Sequence, residues 1–268
     1  MTIIVALLAK DGVVVASDTA ADMEVGDGEM HMQVNCRKIC KLGEHSIFSA
    51  SGDDGMVQLG IEVLKPFSKE LDNGLVLSVK EKILEALSSA IIPKFERIKL
   101  VDEDAKEPDI EMLLVVRDER GDNRLWTING DGSDWFEDEY GFTCFGTCNT
   151  AAMSFLKSFS VEMKRHGRDI TKLDSFTSSL IAYRVVKDTI LSGISGVGGE
   201  VDIWWMGKDG TVSQLSKNEL DDELQTAYNL WLKKELVAFE DTMETLSKYA
   251  VSLPSIRTEK GVRNKSTL

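Results

Sequence analysis

The chain has 268 residues, of which 43% are hydrophobic and 28% are charged, and these proportions exclude a disordered, collagen-like or coiled-coil chain as a description of the whole. Lys and Arg together number 31 against 45 Asp and Glu, which gives a formal net charge of −14. Such a charge repels nucleic acid and a bare anionic membrane surface, and no basic segment is dense enough to reverse that, so we expect neither as a partner.

Strands and turns open the chain. Apolar and β-branched residues predict four strands at residues 2–9, 12–17, 38–42 and 46–51. Tight turns at residues 10–12 and 43–44 join these strands in two pairs. A polar segment over residues 20–35 separates the pairs, and we predict a loop there.

Two pairs of helices alternate with further strands in the rest of the chain. Apolar residues recur at helical spacing over residues 57–64, 76–90, 149–166 and 173–191. An acidic loop at 101–109 and strands at 112–117, 124–129 and 142–145 lie between the two pairs. A glycine-rich connection at 192–199, strands at 201–206 and 211–215, and a long helix at 218–252 follow.

This order of elements fits neither βαβ alternation nor an all-β fold. Each amphipathic helix pair needs one sheet face to cover, so we predict an α+β fold with four layers, αββα, in which two antiparallel sheets pack face to face between helix pairs. The strand groups are too interleaved to be divided between two domains. We therefore predict one domain over residues 1–217 and a C-terminal helical extension with a mobile tail over residues 218–268.

The sequence predicts a cytoplasmic protein that uses neither a metal nor a cofactor. The apolar N-terminal run is short and lacks the basic segment and cleavage site of a signal peptide, and no later stretch approaches the roughly 18 apolar residues of a spanning helix. The three histidines are scattered without metal-ligand spacing. Two C-x3-C pairs miss the usual zinc spacing, so we expect reduced thiols at Cys36, Cys40, Cys144 and Cys148.

Four residues near the N-terminus stand at a distinctive spacing. Thr2 opens an apolar strand, a Lys-Asp-Gly turn follows, and Asp18 ends the next strand after Ala-Ser. Lys38 precedes Ile39, and Gly52 follows a small residue. In these features the chain resembles proteasome β-type subunits and the simpler bacterial members of that family. Matching residues and matching element order extend over roughly residues 2 to 216, most specifically over the first 55.

The resemblance implies the fold of N-terminal nucleophile (Ntn) hydrolases and the chemistry of a threonine protease. Removal of Met1 makes Thr2 the N-terminal residue, whose α-amino group, with an ordinary pKa of about 7.7–8.0, is a suitable general base for its own hydroxyl. Lys38 supplies an ammonium group that lowers the pKa of amine and hydroxyl, and Asp18 supplies the counter-charge. The backbone N–H of Gly52 holds the oxyanion of the tetrahedral intermediate.

The same resemblance implies further site residues. Gly146-Thr147-Cys148 at the start of a helix resembles the family's Gly-Ser-Gly, so Thr147 stands for the active-site Ser and keeps its hydroxyl. Ser51 lies beside the oxyanion glycine. Ala20 and Asp22 occupy the family's substrate-binding positions with different side chains, which implies an altered specificity.

The segment that supports the N-terminal amine in the family, Asp-x-x-Ser-Gly, has no clear counterpart. Gly198-Gly199 fits its end, but Ile194 then takes the place of the Asp. Ser192 or Ser195 supplies a hydroxyl if the loop is shifted, and both remain open.

We therefore predict a threonine-type endopeptidase that forms an acyl-enzyme on Thr2. The family implies a homo-oligomer, a ring or stacked rings, that encloses the sites and takes peptides or unfolded protein; it identifies no ATP-dependent unfoldase for this chain. An Ntn amidase for a small amide is one alternative. A ring-forming structural subunit that is inactive for want of the amine-supporting Asp is another.

Overall fold

Twelve strands and six α-helices form the part of the chain that the computed structural model describes, residues 2–25, 30–100, 108–137, 139–146, 148–215 and 220–252. The strands are β1 (Ile3–Ala9), β2 (Gly12–Asp18), β3 (Ala20–Val25), β4 (Met30–Asn35), β5 (Ile39–Lys41), β6 (Ile47–Gly52), β7 (Ile110–Arg117), β8 (Asn123–Asn129), β9 (Asp134–Phe136), β10 (Phe142–Gly146), β11 (Val201–Gly207) and β12 (Val212–Gln214). The helices are α1 (Asp54–Leu64), α2 (Ser68–Asp72), α3 (Val76–Lys99), α4 (Asn149–Arg165), α5 (Ser175–Leu191) and α6 (Leu220–Ser252). Single 3₁₀ turns lie at Lys65–Phe67 and Ile170–Lys172.

Two five-stranded antiparallel sheets form the centre of the fold. The first has the order β10-β1-β2-β11-β12 and the second the order β5-β6-β7-β8-β9. In the first sheet, Ile4 of β1 lies opposite Ser17 of β2 on one side and opposite Phe145 of β10 on the other. The N-terminal strand is therefore held between two neighbours, which fixes the residue that precedes it.

Alternate residues of the strands face two different cores, because successive side chains of a strand point to opposite faces of its sheet. The core between the sheets includes Ile4, Val13, Val15, Ile47, Leu113, Val115, Leu125 and Trp204. The outer face of the second sheet packs against α1 and α3, with Phe48, Met112, Leu114, Trp126, Met56, Leu64, Ile83, Leu87 and Ile91 in this core. Helix α5 contacts β1 and β2, and α4 contacts β10. The predicted four-layer αββα fold is confirmed.

Two segments that we predicted to be irregular contain strands. Residues 20–35, predicted as a loop, hold the hairpin strands β3 and β4, with Ala20 paired to Asn35 and Val25 to Met30. The sequence does alternate there, with Met23 and Met32 among its apolar positions, but Met and Ala are weak strand formers and hide the period of two. Strand β9, in the Asp- and Gly-rich stretch, pairs with β8 and forms the edge of the second sheet.

Contacts group the chain into two compact units, residues 1–225 and residues 226–268. The second unit contains most of α6, a helix of 33 residues and therefore about 50 Å long. None of the helices among the described residues has a long enough apolar stretch to cross a membrane.

Candidate active site

A buried ion pair joins the two sheets near the N-terminal end of β1. Asp18 is the last residue of β2, and its Oδ1 lies 2.7 Å from the Nζ of Lys38. The Asp18 side chain is fully buried and that of Lys38 is 6% exposed. Lys38 directly precedes β5, and its carbonyl oxygen accepts a hydrogen bond from the Ser49 hydroxyl at 2.8 Å. The backbone that carries the lysine is thereby tied to β6.

Asp18 also accepts two backbone hydrogen bonds. The N–H of Ile3 donates to its Oδ1 at 3.1 Å, and the N–H of Gly198 donates to its Oδ2 at 3.1 Å. A carboxylate without water is stable only when it is paired and hydrogen-bonded, and here an ammonium group and two N–H groups meet that need. The carboxylate thus connects the start of β1, Lys38 and the segment before β11.

Thr2 lies directly before β1 and is 7% exposed. Gly146 at the end of β10 is paired with Ile3, and a Cβ at Gly146 would stand 2.1 Å from the carbonyl oxygen of Thr2. Gly146 also has a φ of +95°, a conformation that disfavours any side chain. The close approach of these two backbones therefore fixes where the Thr2 main chain lies.

Gly52 is a second glycine that the geometry requires. It ends β6 with a φ of +129°, and a Cβ there would stand 2.1 Å from the carbonyl oxygen of Asp109. The next residue, Asp53, donates its N–H to that oxygen at 2.8 Å and caps α1 by accepting the N–H of Met56 at 2.9 Å. The N-terminus of α1, where backbone N–H groups point outward, therefore lies beside Gly52.

A cavity of about 300 Å³ brings Thr2, Lys38 and Gly52 together. Its lining residues are Thr2, Ala21, Cys36, Arg37, Lys38, Cys40, Phe48, Ala50, Gly52, Asp53, Asp54, Val57 and Ile61. The lining combines the threonine and the lysine with an apolar wall and with charged groups of both signs. It is a concave site of the size that receives one side chain of a larger substrate.

A larger cleft of about 740 Å³ lies elsewhere, lined by Leu8, Lys10, Arg124, Lys172 and Lys208 among others. Leu8 stands near the far end of β1 from Thr2, about 20 Å away at the rise of a strand, and Lys10 lies beyond the end of that strand. Among the residues that the structure describes, its lining includes no predicted site residue. Chemistry rather than size therefore makes the smaller cavity the candidate site.

The cysteines around the site are free thiols. Burial raises the pKa of Cys36, and the Asp54 carboxylate raises it further. Burial raises the pKa of Cys40, and burial together with the Asp18 charge raises that of Cys148. These thiols are protonated at neutral pH, so Cys36 and Cys40 contribute bulk to the cavity lining rather than a competing nucleophile.

The other predicted site residues are placed less directly. Thr147 lies outside the described residues. Ala20 is buried beside the cavity and donates its N–H to the Gly198 carbonyl at 3.2 Å, while Ser51 precedes Gly52. Asp22 belongs to β3, opposite Gln33, and its side chain lies outside the described ones. Of this segment it is Ala21 that lines the cavity.

The two serines considered as amine-supporting residues differ in their surroundings. The Ser192 hydroxyl donates to the Thr189 carbonyl at 2.6 Å and so closes the last turn of α5. Ser195 is exposed, whereas Val197, three residues after Ile194, is buried. The hydroxyl of Ser192 is thus used within its own helix end.

Sequence reasoning missed two contacts of the site. Gly198, in the glycine-rich connection, donates its N–H to Asp18 across 180 positions of sequence. Glu111 of β7 accepts the N–H of Gly146 at 3.2 Å, which anchors the residue just before Thr147. A glutamate interrupting the apolar pattern of β7 was the available signal for the second contact.

Comparison with known proteins agrees with this geometry. The sequence model of the Proteasome subunit family matches residues 2–166, more than half of the chain. Among solved structures, the chain is similar to one described as the helical assembly of the Anbu complex from Pseudomonas aeruginosa, with a TM-score of 0.65 and 15% identity over 97% of this chain and 100% of that chain. At that identity the likeness concerns the fold alone, and no curated protein matches the sequence. The family match decides the assignment: the chain belongs to the proteasome subunit family.

Proposed function

We propose that the protein is a threonine-type endopeptidase that cleaves peptide bonds through an acyl-enzyme on Thr2. The observation that carries the proposal is the buried Asp18–Lys38 pair, whose lysine lines one cavity with Thr2 and Gly52. A buried ammonium group beside a hydroxyl residue stabilises developing negative charge far better than an exposed one does. The second contact of Asp18, to the N–H of Ile3, ties the pair to the residue next to Thr2.

The reaction divides into two half-reactions with Thr2 as the nucleophile. After removal of Met1, the α-amino group takes the proton of the Thr2 hydroxyl while Oγ attacks the substrate carbonyl carbon. The carbonyl π electrons move to oxygen, and the Gly52 N–H receives this oxyanion. The α-ammonium group then gives its proton to the amide nitrogen as the C–N bond breaks. Water, deprotonated by the same amine, then attacks the acyl carbon. The bond from that carbon to Thr2 Oγ breaks, and Oγ takes the proton back from the α-ammonium group.

Lys38 and Asp18 act on this reaction by charge. The Lys38 ammonium lowers the pKa of the hydroxyl and amine of Thr2, so that both lose protons more readily. Asp18 supplies the counter-charge for Lys38 and orients it, because a buried charge without a partner is costly. We assign the pair a supporting role rather than a direct part in proton transfer.

The cavity supports an apolar residue on the acyl side of the cleaved bond. Cys40, Phe48, Ala50, Val57 and Ile61 form an apolar wall in a space that fits one medium-sized side chain. An acidic side chain would have to give up its hydration against this apolar wall, and the charges in the lining are of both signs, so they do not compensate for that cost. We therefore expect cleavage after aliphatic residues in preference to acidic ones.

A ring-forming subunit without peptidase activity is a second candidate. It is favoured by the sequence, because the resemblance puts Ile194 in the place of the Asp that supports the amine in the family. In either case we propose a cytoplasmic homo-oligomer, in line with the assembly described for the Anbu structure.

The two candidates differ in the effect of Thr2 variants. Thr2→Ala abolishes hydrolysis of a panel of fluorogenic peptides and leaves particle mass unchanged, because the hydroxyl belongs to the site and not to the packing. Thr2→Ser keeps a hydroxyl and retains measurable turnover. Undiminished hydrolysis in Thr2→Ala contradicts the endopeptidase, and a wild-type chain with Met1 removed but without hydrolysis favours the structural subunit.

A further inference from the structure

Helix α6 carries a stripe of exposed apolar residues beyond its first two turns. Leu232, Leu236, Phe239 and Met243 are 37%, 57%, 62% and 50% exposed. They follow one another at intervals of four, three and four residues. Alternation of four and three is the spacing of the a and d positions of a coiled coil, which places all four side chains on one face of the helix.

The opposite side of α6 lacks this pattern. Leu230 and Val237 are 53% and 50% exposed, but they lie roughly opposite the stripe at about 100° per residue. Two turns before Leu230 the same face carries Glu223, and two turns after Val237 it carries Glu244. The apolar residues on this face therefore do not continue into a row. A continuous apolar row on one face, against isolated residues on the other, marks a packing surface.

We propose that this face of α6 pairs with α6 of a second copy of the chain as an antiparallel coiled coil. In this arrangement Leu232 packs opposite Met243 of the second copy, and Leu236 packs opposite Phe239. Each contact occurs twice because the pair is symmetric. The inference concerns a surface separate from the cavity, and it holds whether or not the protein is a peptidase.

The charges beside the stripe fit a second copy in this orientation. Lys233 and Glu240 flank the same edge of the stripe, so an antiparallel pair brings Lys233 of each copy opposite Glu240 of the other. A parallel pair instead brings Glu235 of one copy opposite Glu240 of the other, which is repulsive. A chain with a net charge of −14 resists self-association unless apolar burial and local complementarity overcome it, and this face offers both.

The pairing of the two α6 stripes is tested with the full-length protein by sedimentation velocity over a concentration series. Leu236→Ser combined with Phe239→Ser removes the two central residues of the stripe. We expect the dissociation constant of self-association to rise by at least about a hundredfold. Leu230→Ser combined with Val237→Ser removes equally exposed apolar residues from the other face, and we expect wild-type behaviour. A monomeric wild-type chain, or equal behaviour of the two double variants, overturns the proposal.

The orientation is tested by exchanging the charges. Lys233→Glu and Glu240→Lys each weaken self-association by about tenfold, and the double variant returns to near the wild-type value because the pairs are restored with reversed sign. In a parallel pair, Glu240→Lys would strengthen association by relieving its repulsion with Glu235. Strengthening by Glu240→Lys, or failure of the double variant to recover, overturns the antiparallel arrangement.

Discussion

Asp18 shows how much one buried carboxylate determines at the scale of a residue. Its two oxygens accept bonds from Lys38, Ile3 and Gly198, which belong to three separate segments. The spacing of Thr2, Asp18 and Lys38 predicts the ion pair. The bond from Gly198 was beyond prediction, because nothing local in a glycine-rich connection says which distant carboxylate it reaches.

Lys38→Ala tests the ion pair. We expect turnover to fall by at least about a hundredfold, since the ammonium that stabilises developing charge is lost. The variant also leaves Asp18 buried without its partner, and we expect the free energy of unfolding to fall by about 3–5 kcal/mol. Peptide hydrolysis measures the turnover and urea unfolding measures the free energy of unfolding. Both are done at low temperature, where the variant is folded.

Lys41→Ala is the matched control for this prediction. Lys41 is exposed at the end of β5, the short strand that Lys38 precedes, so its loss changes stability by less than about 0.5 kcal/mol and leaves turnover intact. Equal losses in the two variants would show that proximity to β5, rather than the pair with Asp18, accounts for the effect.

Gly146→Ala tests the close backbone contact at Thr2. Its Cβ would meet the Thr2 carbonyl oxygen at 2.1 Å, and β10 has no room to move without shifting β1. We expect a loss of at least about 3 kcal/mol in stability, together with loss of activity. Gly167→Ala shares a positive φ, +69°, but has no neighbour within 4 Å, and should cost only about 1–2 kcal/mol. Thermal unfolding of both variants separates the contact from the φ strain.

At the scale of elements, what could be predicted depended on pattern strength. Strands such as β1 and β2 are continuous β-branched runs, and the prediction placed them within one or two residues of their bounds. Strands β3 and β4 were missed because Ala and Met carry their alternation. Strand β9 was missed because it lies in a stretch whose Asp and Gly residues favour turns. Local sequence pattern does not say which strands pair. The pairing of β1 with β10, which are more than 130 positions apart, is known only from the structure.

The turn between β7 and β8 is held by Asp118, and it gives a pH-dependent prediction. Burial alone raises the pKa of this carboxyl, but hydrogen bonds from the Asp122 N–H, the Arg124 side chain and the Arg120 N–H outweigh it and hold the pKa below its ordinary value. The stability it contributes is therefore present above the unfolded-state pKa and is lost as pH falls through the folded-state pKa.

Asp118→Asn should therefore lower the free energy of unfolding by about 1–3 kcal/mol at pH 7, with the difference from wild type shrinking below pH about 4. Asp122→Asn, an exposed side chain in the same turn, should change it by less than about 0.5 kcal/mol. Urea unfolding of the wild type and the two variants, at pH 7 and below pH about 4, measures these differences in free energy of unfolding. If the difference between Asp118→Asn and the wild type grows at low pH, the prediction is wrong.

At the scale of the whole molecule, charge and apolar surface oppose each other. Copies of a chain with a net charge of −14 repel one another, so a stable assembly must bury apolar area between them. Besides the stripe on α6, exposed apolar residues available for such contacts include Leu77, Ile92 and Val161. The sequence predicted the apolar helices but not which faces stay uncovered, because that depends on what the rest of the fold has already buried.

Salt separates the two forces. Screening weakens repulsion between like-charged copies and leaves apolar burial intact, so the assembly should persist, with unchanged mass, between about 0.1 M and about 1 M salt. Size-exclusion chromatography with light scattering gives the mass at each concentration. Dissociation at high salt would indicate interfaces that depend on ion pairs instead.

The most direct test of Thr2 as an N-terminal nucleophile is reaction of the full-length protein with an epoxyketone peptide, followed by peptide mapping. An epoxyketone bonds both the hydroxyl and the α-amino group of an N-terminal threonine, so a single adduct reports the nucleophile, its base and the removal of Met1 together. We predict one adduct per chain, joined to both groups of Thr2, and a reaction slowed by Lys38→Ala but not by Lys41→Ala. An unmodified Thr2, a retained Met1, or an adduct on Cys36 or Cys40 instead would contradict the assignment.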